Sequence, residues 1–177
     1  MPLSFLYLAY IFKNRAEPMP QQSVTFRFLA EPTDVNFGGK VHGGMVMKWI
    51  DQAGYACAAG WSGSYCVTVS VAGMRFHRPI LVGQIVEVSA RIAHTGNTSM
   101  QIFIQVRCGD PKTQRLVETN HCIISFIAMD QAGYPIQIPQ FKAKTEEEKK
   151  LEAYAVKMKE IAIQTESLLE ETLSDSK

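Results

Sequence analysis

The chain has 177 residues, 46% of them apolar and 20% charged, with a formal net charge of +1 at pH 7. That length and composition suit one packed domain with an appendage. The near-neutral balance argues against a dedicated nucleic-acid surface, so any affinity for polyphosphates must come from local clustering.

The first stretch, Leu3 to Phe12, is strongly apolar but too short to span a bilayer. Its basic residues, Lys13 and Arg15, follow the apolar run, the reverse of a secretory signal, and no small-residue cleavage site comes after it. Met19 is a candidate true start. Residues 1–21 are therefore expected to be an extension outside the fold, with a weak membrane anchor as the sharper alternative.

Ser23 to Leu29 alternates as a strand, with Val24, Phe26 and Phe28 on one face and Thr25 and Arg27 on the other. Glu31 to Val41 reads as a loop. A helix is expected from Gly43 to about Gly60, apolar nearly all round and so buried on most sides, with Gly60 and Gly63 ending it. Tyr65 to Phe76, Gln84 to His94, Thr98 to Cys108 and Leu116 to Met129 are four further strands. Gly109-Asp110-Pro111 and Asp130-Gln131-Ala132-Gly133 supply turns. After Pro139 the texture changes. Lys144 to Leu173 reads as one amphipathic helix, opened by a capping-box-like Thr145-Glu146-Glu147-Glu148. One very apolar helix and one long antiparallel sheet predict an α+β domain over residues 22–141, the sheet wrapped around the helix, with residues 142–177 as a helical extension.

Cys57, Cys66, Cys108 and Cys122 lack C-x-x-C spacing and lie in apolar runs. They read as buried small side chains in a reducing compartment, so a cytoplasmic location and no metal site are expected.

The chemistry concentrates between Asn36 and Gly54. Gly43 and Gly44 open the helix, where unpaired backbone N–H groups and the positive dipole end can face a ligand. Asn36 offers a side-chain amide. Asp51 is a carboxylate inside an apolar helical run, costly to bury without a task. Gly44 and Asp51 share a helix face but stand roughly 10 Å apart along the axis. One substrate carbonyl cannot touch both within a single chain. Either Asp51 is unrelated to the helix start, or a second copy of the chain supplies one of the two groups.

The order Asn36, His42-Gly43-Gly44, then a helix carrying Asp51 resembles the hotdog-fold acyl-CoA thioesterases. The nearest likeness is the acyl-CoA hydrolase branch of bacteria and of the tandem-domain animal brain enzymes. Val67-Thr68-Val69, Met74-Arg75-Phe76-His77-Arg78-Pro79 and Gly96-Asn97-Thr98-Ser99 continue the likeness, which spans roughly Val24 to Pro139. His77, where many relatives are expected to carry Leu, departs from the pattern.

The resemblance implies a hotdog fold and hydrolysis of acyl-CoA to a free acid and coenzyme A, with no cofactor beyond the substrate's own coenzyme A. It implies a homo-oligomer of dimers assembled as a trimer of dimers. Asp51 would be general base or nucleophile, Asn36 would orient water or substrate, and a helix-start N–H, that of Gly44 first, would form the oxyanion hole. Arg78, Gly96, Thr98 and Ser99 would contact the nucleotide, Thr68 the acyl site, and His42 and Gly43 the thioester.

Each assignment has a plainer counterpart. Asp51 could pair with Lys48, Asn36 could hold an Asx turn, and His42 could brace the helix. Arg78 could be a surface arginine, Thr68 a strand residue, and Gly96 to Ser99 a hairpin turn. His94 and His121 lie in strands without an evident partner and read as structural. Two rival functions stand beside hydrolysis. A hotdog dehydratase or hydratase would use His42 with Asp51 as its acid–base pair. A non-catalytic acyl-CoA sensor would bind and not react.

Overall fold

Each strand owes its place to alternation, with the inward set apolar and the outward set mixed. The computed structural model describes residues 20–113 and 115–174. Its elements are β1 (Ser23–Leu29), a 3-10 turn (Pro32–Asp34), α1 (Gly43–Ser62), β2 (Tyr65–Ala72), β3 (Ile85–Thr95), β4 (Ser99–Gly109), β5 (Val117–Met129) and α2 (Glu146–Ser174). The five strands form one antiparallel sheet in the order β1-β3-β4-β5-β2, so β1 and β2 are its edges. This is the predicted hotdog arrangement of a sheet around a central helix.

α1 lies on the inner face. Its small residues Ala53, Gly54, Cys57 and Ala58 are buried there with Trp49 and Ile50. A Cβ at Gly54 would meet Phe126 Cε2 at 2.8 Å and Ile124 Cγ2 at 3.1 Å, which sets how closely the helix approaches β5. Phe28 stacks edge-on against Trp49 with ring centroids 4.6 Å apart, tying β1 to the same helix. The strand side of this core is Val86, Val88, Ile102, Ile104 and Phe126.

α2 lies on the outer face over a smaller cluster of Ala93, Ile123 and Ala155, flanked by Phe103, Leu151 and Met158. The expected capping box is present. The Thr145 Oγ1 accepts from the Glu148 N–H at 3.1 Å, and the Glu148 carboxylate accepts from the Thr145 N–H at 3.0 Å.

Two element bounds need correction. α1 runs through Gly60 to Ser62, and only Gly63, with φ 69°, ends it, its N–H reaching Ala59 O at 2.8 Å. β2 stops at Ala72, short of Phe76, because Gly73 turns the chain at φ 70° beneath Met158 and Tyr154 of α2. α1 is buried or half-buried on most sides, though not all round. Gly44, Lys48, Asp51, Gln52 and Tyr55 fall at helical spacing and form one exposed strip. The expectations for residues 1–19, the membrane anchor among them, lie outside the described residues, whereas Gln21, expected in the same extension, is tied to the fold by its N–H to Gly60 O at 3.0 Å. No described helix is long and apolar enough to cross a membrane.

Candidate active site

The site residues fall into groups at separate places on the domain. The first gathers around the start of α1. The loop before it is closed by backbone bonds from His42 N–H to Asp34 O (2.8 Å) and from Val41 N–H to Ile80 O (2.9 Å). Asn36 Oδ1 accepts from the Gly38 N–H at 2.9 Å and the Lys40 N–H at 3.4 Å, an Asx-type turn. The Asn36 Nδ2 donors make no bond among the described residues. Asn36, Lys40, Gly43, Phe76, Arg78 and Asn120 line a cleft of about 290 Å³. The cleft has two cations, Lys40 and Arg78, and no carboxylate in its lining. Arg78 is exposed, and its charge bears on the thiol of Cys108, which burial pushes up and Arg78 pulls back.

At the helix start itself, His42 is the N-cap, its Nδ1 accepting from the Gly44 N–H at 3.2 Å. The expected oxyanion donor at Gly44 therefore already has an acceptor. The Gly43 N–H has none among the described residues.

The second group lies two turns along α1. Asp51 is exposed, contrary to the burial that its apolar sequence neighbours suggest, and its Oδ1 accepts from the Thr68 hydroxyl at 2.6 Å. Thr68 sits on edge strand β2 next to a register shift between Thr68 and Ser70. The bulge keeps the hydroxyl turned to α1 while the extra residue, Val69, stands exposed. Sequence reasoning picked both residues without seeing that they are bonded to each other. Lys48, the plainer partner for Asp51, makes no ion pair with it.

The third group departs from expectation. Gly96, Thr98 and Ser99 lie at the β3–β4 hairpin, and Thr98 and Ser99 border a cavity of about 380 Å³ between the outer sheet face and α2. Arg78 follows His77, whose N–H bonds Thr119 O at 2.9 Å, and Thr119 stands beside Val106 and Arg107 toward the opposite end of β4, an 11-residue strand. A strand of that length spans roughly 35 Å, so a single chain does not bring Arg78 and Ser99 to one nucleotide. The two histidines read as unpartnered also have partners on the outer face. His94 Nδ1 lies 3.1 Å from Glu152, and His121 Nδ1 lies 2.7 Å from Glu118. Sequence reasoning missed Lys40 and Asn120 in the cleft. Asn120 is wholly buried at the polar end of β5, between Thr119 and His121, where no local pattern sets it apart. Among the described residues no cluster of His, Cys, Asp or Glu is placed to hold a metal ion.

Comparison with known proteins gives a consistent result. The family model of the thioesterase superfamily matches residues 38–114. The acyl-CoA thioester hydrolase YciA of Escherichia coli is 35% identical over 125 residues, covering 68% of this chain and 94% of that protein. The chain belongs to the thioesterase superfamily. Protein VdlD of Helicobacter pylori is 35% identical over 134 residues, 76% of each chain. The crystal structure of a hexameric acyl-CoA thioesterase superposes with a TM-score of 0.79 at 30% identity, covering 85% of this thioesterase and 97% of that chain. Family and fold agree with the resemblance read from the sequence, and neither the dehydratase nor the sensor is favoured.

Proposed function

We propose that this thioesterase hydrolyses acyl-CoA to a free acid and coenzyme A at a site shared by two copies of the chain. The observation that carries this reading is the separation of the two polar groups on α1. The basic cleft and helix N-terminus serve one end, and the Thr68–Asp51 pair serves the other. Both are on or beside the exposed strip of α1, next to the unpaired edge β2. Pairing two chains through β2 sets one chain's Asp51 beside its partner's helix start. Hexameric relatives support a homo-oligomer, and a trimer of such dimers is the assembly we adopt.

In the reaction, the thioester carbonyl oxygen takes hydrogen bonds from the start of α1. The free Gly43 N–H is available, and Gly44 N–H becomes available when the carbonyl oxygen replaces His42 Nδ1. Asn36 Nδ2 orients the attacking water or the carbonyl. Asp51, held by Thr68, takes the water proton as general base, or attacks the carbonyl carbon itself and is freed by water in a second step. The carbon–sulfur bond breaks, and the leaving thiolate takes the proton Asp51 drew from the attacking water, or in the two-step route one from solvent, so coenzyme A leaves as the thiol. Arg78 and Lys40 suit the phosphates of the nucleotide. Thr98, Ser99 and Gly96 reach that nucleotide only from another chain. A dehydratase pair of His42 and Asp51 is not supported within the chain, because His42 is engaged by Gly44 and Asp51 by Thr68. The four free, buried cysteines support a cytoplasmic setting.

A free-thiol assay across acyl-CoA chain lengths tests this reading. Asp51→Asn keeps the shape and the Thr68 bond and removes the carboxylate, so kcat should fall by about 10²-fold or more. Wild-type turnover in the folded variant would remove Asp51 from the chemistry. Arg78→Ala should raise KM for acyl-CoA more than it lowers kcat, and should matter less for acyl-pantetheine, which lacks the nucleotide phosphates. Equal damage with both substrates would give Arg78 a structural role.

A further inference from the structure

α2 is longer than the sheet it rests on. Its first turn is fixed near β1 and β3, where Glu148 accepts from Gln22 at 3.1 Å and Glu147 from Arg91 at 2.9 Å. Ala155 then packs on Ala93 of β3 and Ile123 of β5, and Met158 sits over Gly73, just past β2. Ala162, Ile163 and Glu166 border Val69 and Ser70 of β2 itself. The helix thus crosses the sheet diagonally from the β1 edge to the β2 edge. Every residue from Ser167 to Ser174 is exposed. Those eight residues extend about 12 Å, more than two strand spacings of about 4.8 Å.

The apolar stripe does not stop where the sheet stops. Leu151, Ala155, Met158 and Ala162 face the sheet, and Leu169 and Leu173 continue the same face, within about 40° of Ala155 around the axis. Leu169 is 59% and Leu173 61% exposed. A face that packs on a sheet for three turns and then continues apolar calls for more sheet. The edge strand it overhangs is open, with Val69 57% exposed on it.

We propose that Leu169 and Leu173 of α2 dock on the outer sheet face of a second copy of this chain, joined through the β2 edges. Two-fold symmetry makes the contact reciprocal, so two α2 helices clamp the seam from outside while the exposed strips of α1 flank it from inside. The clamp rests on the β2-paired dimer that the shared site also requires. It holds together the dimer in which Asp51 and its partner's helix start meet.

The test uses the full chain. Leu169→Asp with Leu173→Asp should raise the dissociation constant of the pair by about 100-fold or more, read by sedimentation velocity over a dilution series. Thiol release should fall at low protein concentration and recover at high concentration. Leu168→Asp changes an equally exposed leucine, 64%, on another face of the same helix, and should leave assembly and activity unchanged. In the unaltered protein, amide exchange over residues 167–174 should be slow when assembled and fast on dilution. Unchanged assembly of the double variant would overturn the proposal. So would protection of 167–174 that ignores concentration, since the cover would then come from the same chain. Failure of the shared-site reading alone would leave the dissociation of the double variant intact, so the two outcomes are separable.

Discussion

α1 spans 20 residues and buries seven, from Val46 to Ala58, whereas α2 spans 29 and buries only Ala155. Both helices lie on the same sheet, so the difference is in the seat. α1 is narrow where it touches β5, with Gly54 against Phe126, and its buried face runs from Val46 to Ala58. α2 is fixed at its start by ion pairs and a capping box, and its apolar face outruns the sheet. A helix complete within one chain can carry a precise site. The half-covered face of α2 is the one the proposed clamp would bury.

The strongest way to break the α1 seat is at Gly54. Alanine there adds about 1 kcal/mol of helix propensity, but its Cβ meets the buried ring of Phe126, and overpacking costs about 1–3 kcal/mol. Gly54→Ala should lower the thermal midpoint and, by moving Asp51 off Thr68, lower kcat as well. Equal or greater stability would mean that the sheet yields easily and that the approach of α1 does not position Asp51.

On the α2 side the expected effects are smaller and local. The N–H groups of Thr145 and Lys144, with Gln22, hold the Glu148 carboxyl down to about 2. A depressed folded value means that this cap is fully present above the ordinary glutamate value of 4.5 and is lost only as pH falls through about 2. The start of α2 should stay protected from amide exchange at pH 4. Thr145→Ala should speed that exchange roughly fivefold and leave α1 unchanged. Loss of protection already at pH 4 in the unaltered chain would show that the box does not hold the helix start.

The sequence made the elements legible because each carries its own period. Strict alternation marked β4, Thr145 with Glu148 marked the start of α2, and His42-Gly43-Gly44 marked the start of α1. Asp51 and Thr68 were legible as types, but their bond depends on a strand bulge beside Val69 that no local pattern announces. Asp51 looked buried because its chain neighbours are apolar, yet its helical neighbours Lys48, Gln52 and Tyr55 are exposed with it. The placement of Ser99 behind the sheet and Arg78 at its far end follows from topology, which periodicity does not encode. His94 pairs with Glu152 across 58 residues for the same reason.

The central claim is that Asn36 and Asp51 of one working site come from different chains. Subunit exchange between an inactive Asp51→Asn protein and an inactive Asn36→Ala protein tests it, with mixed pairs verified by native mass spectrometry. A mixed pair then holds one site with both groups intact and one with neither, so thiol release should reappear as mixed pairs form. Verified mixed pairs without recovered thiol release would place both groups within one chain and contradict the account.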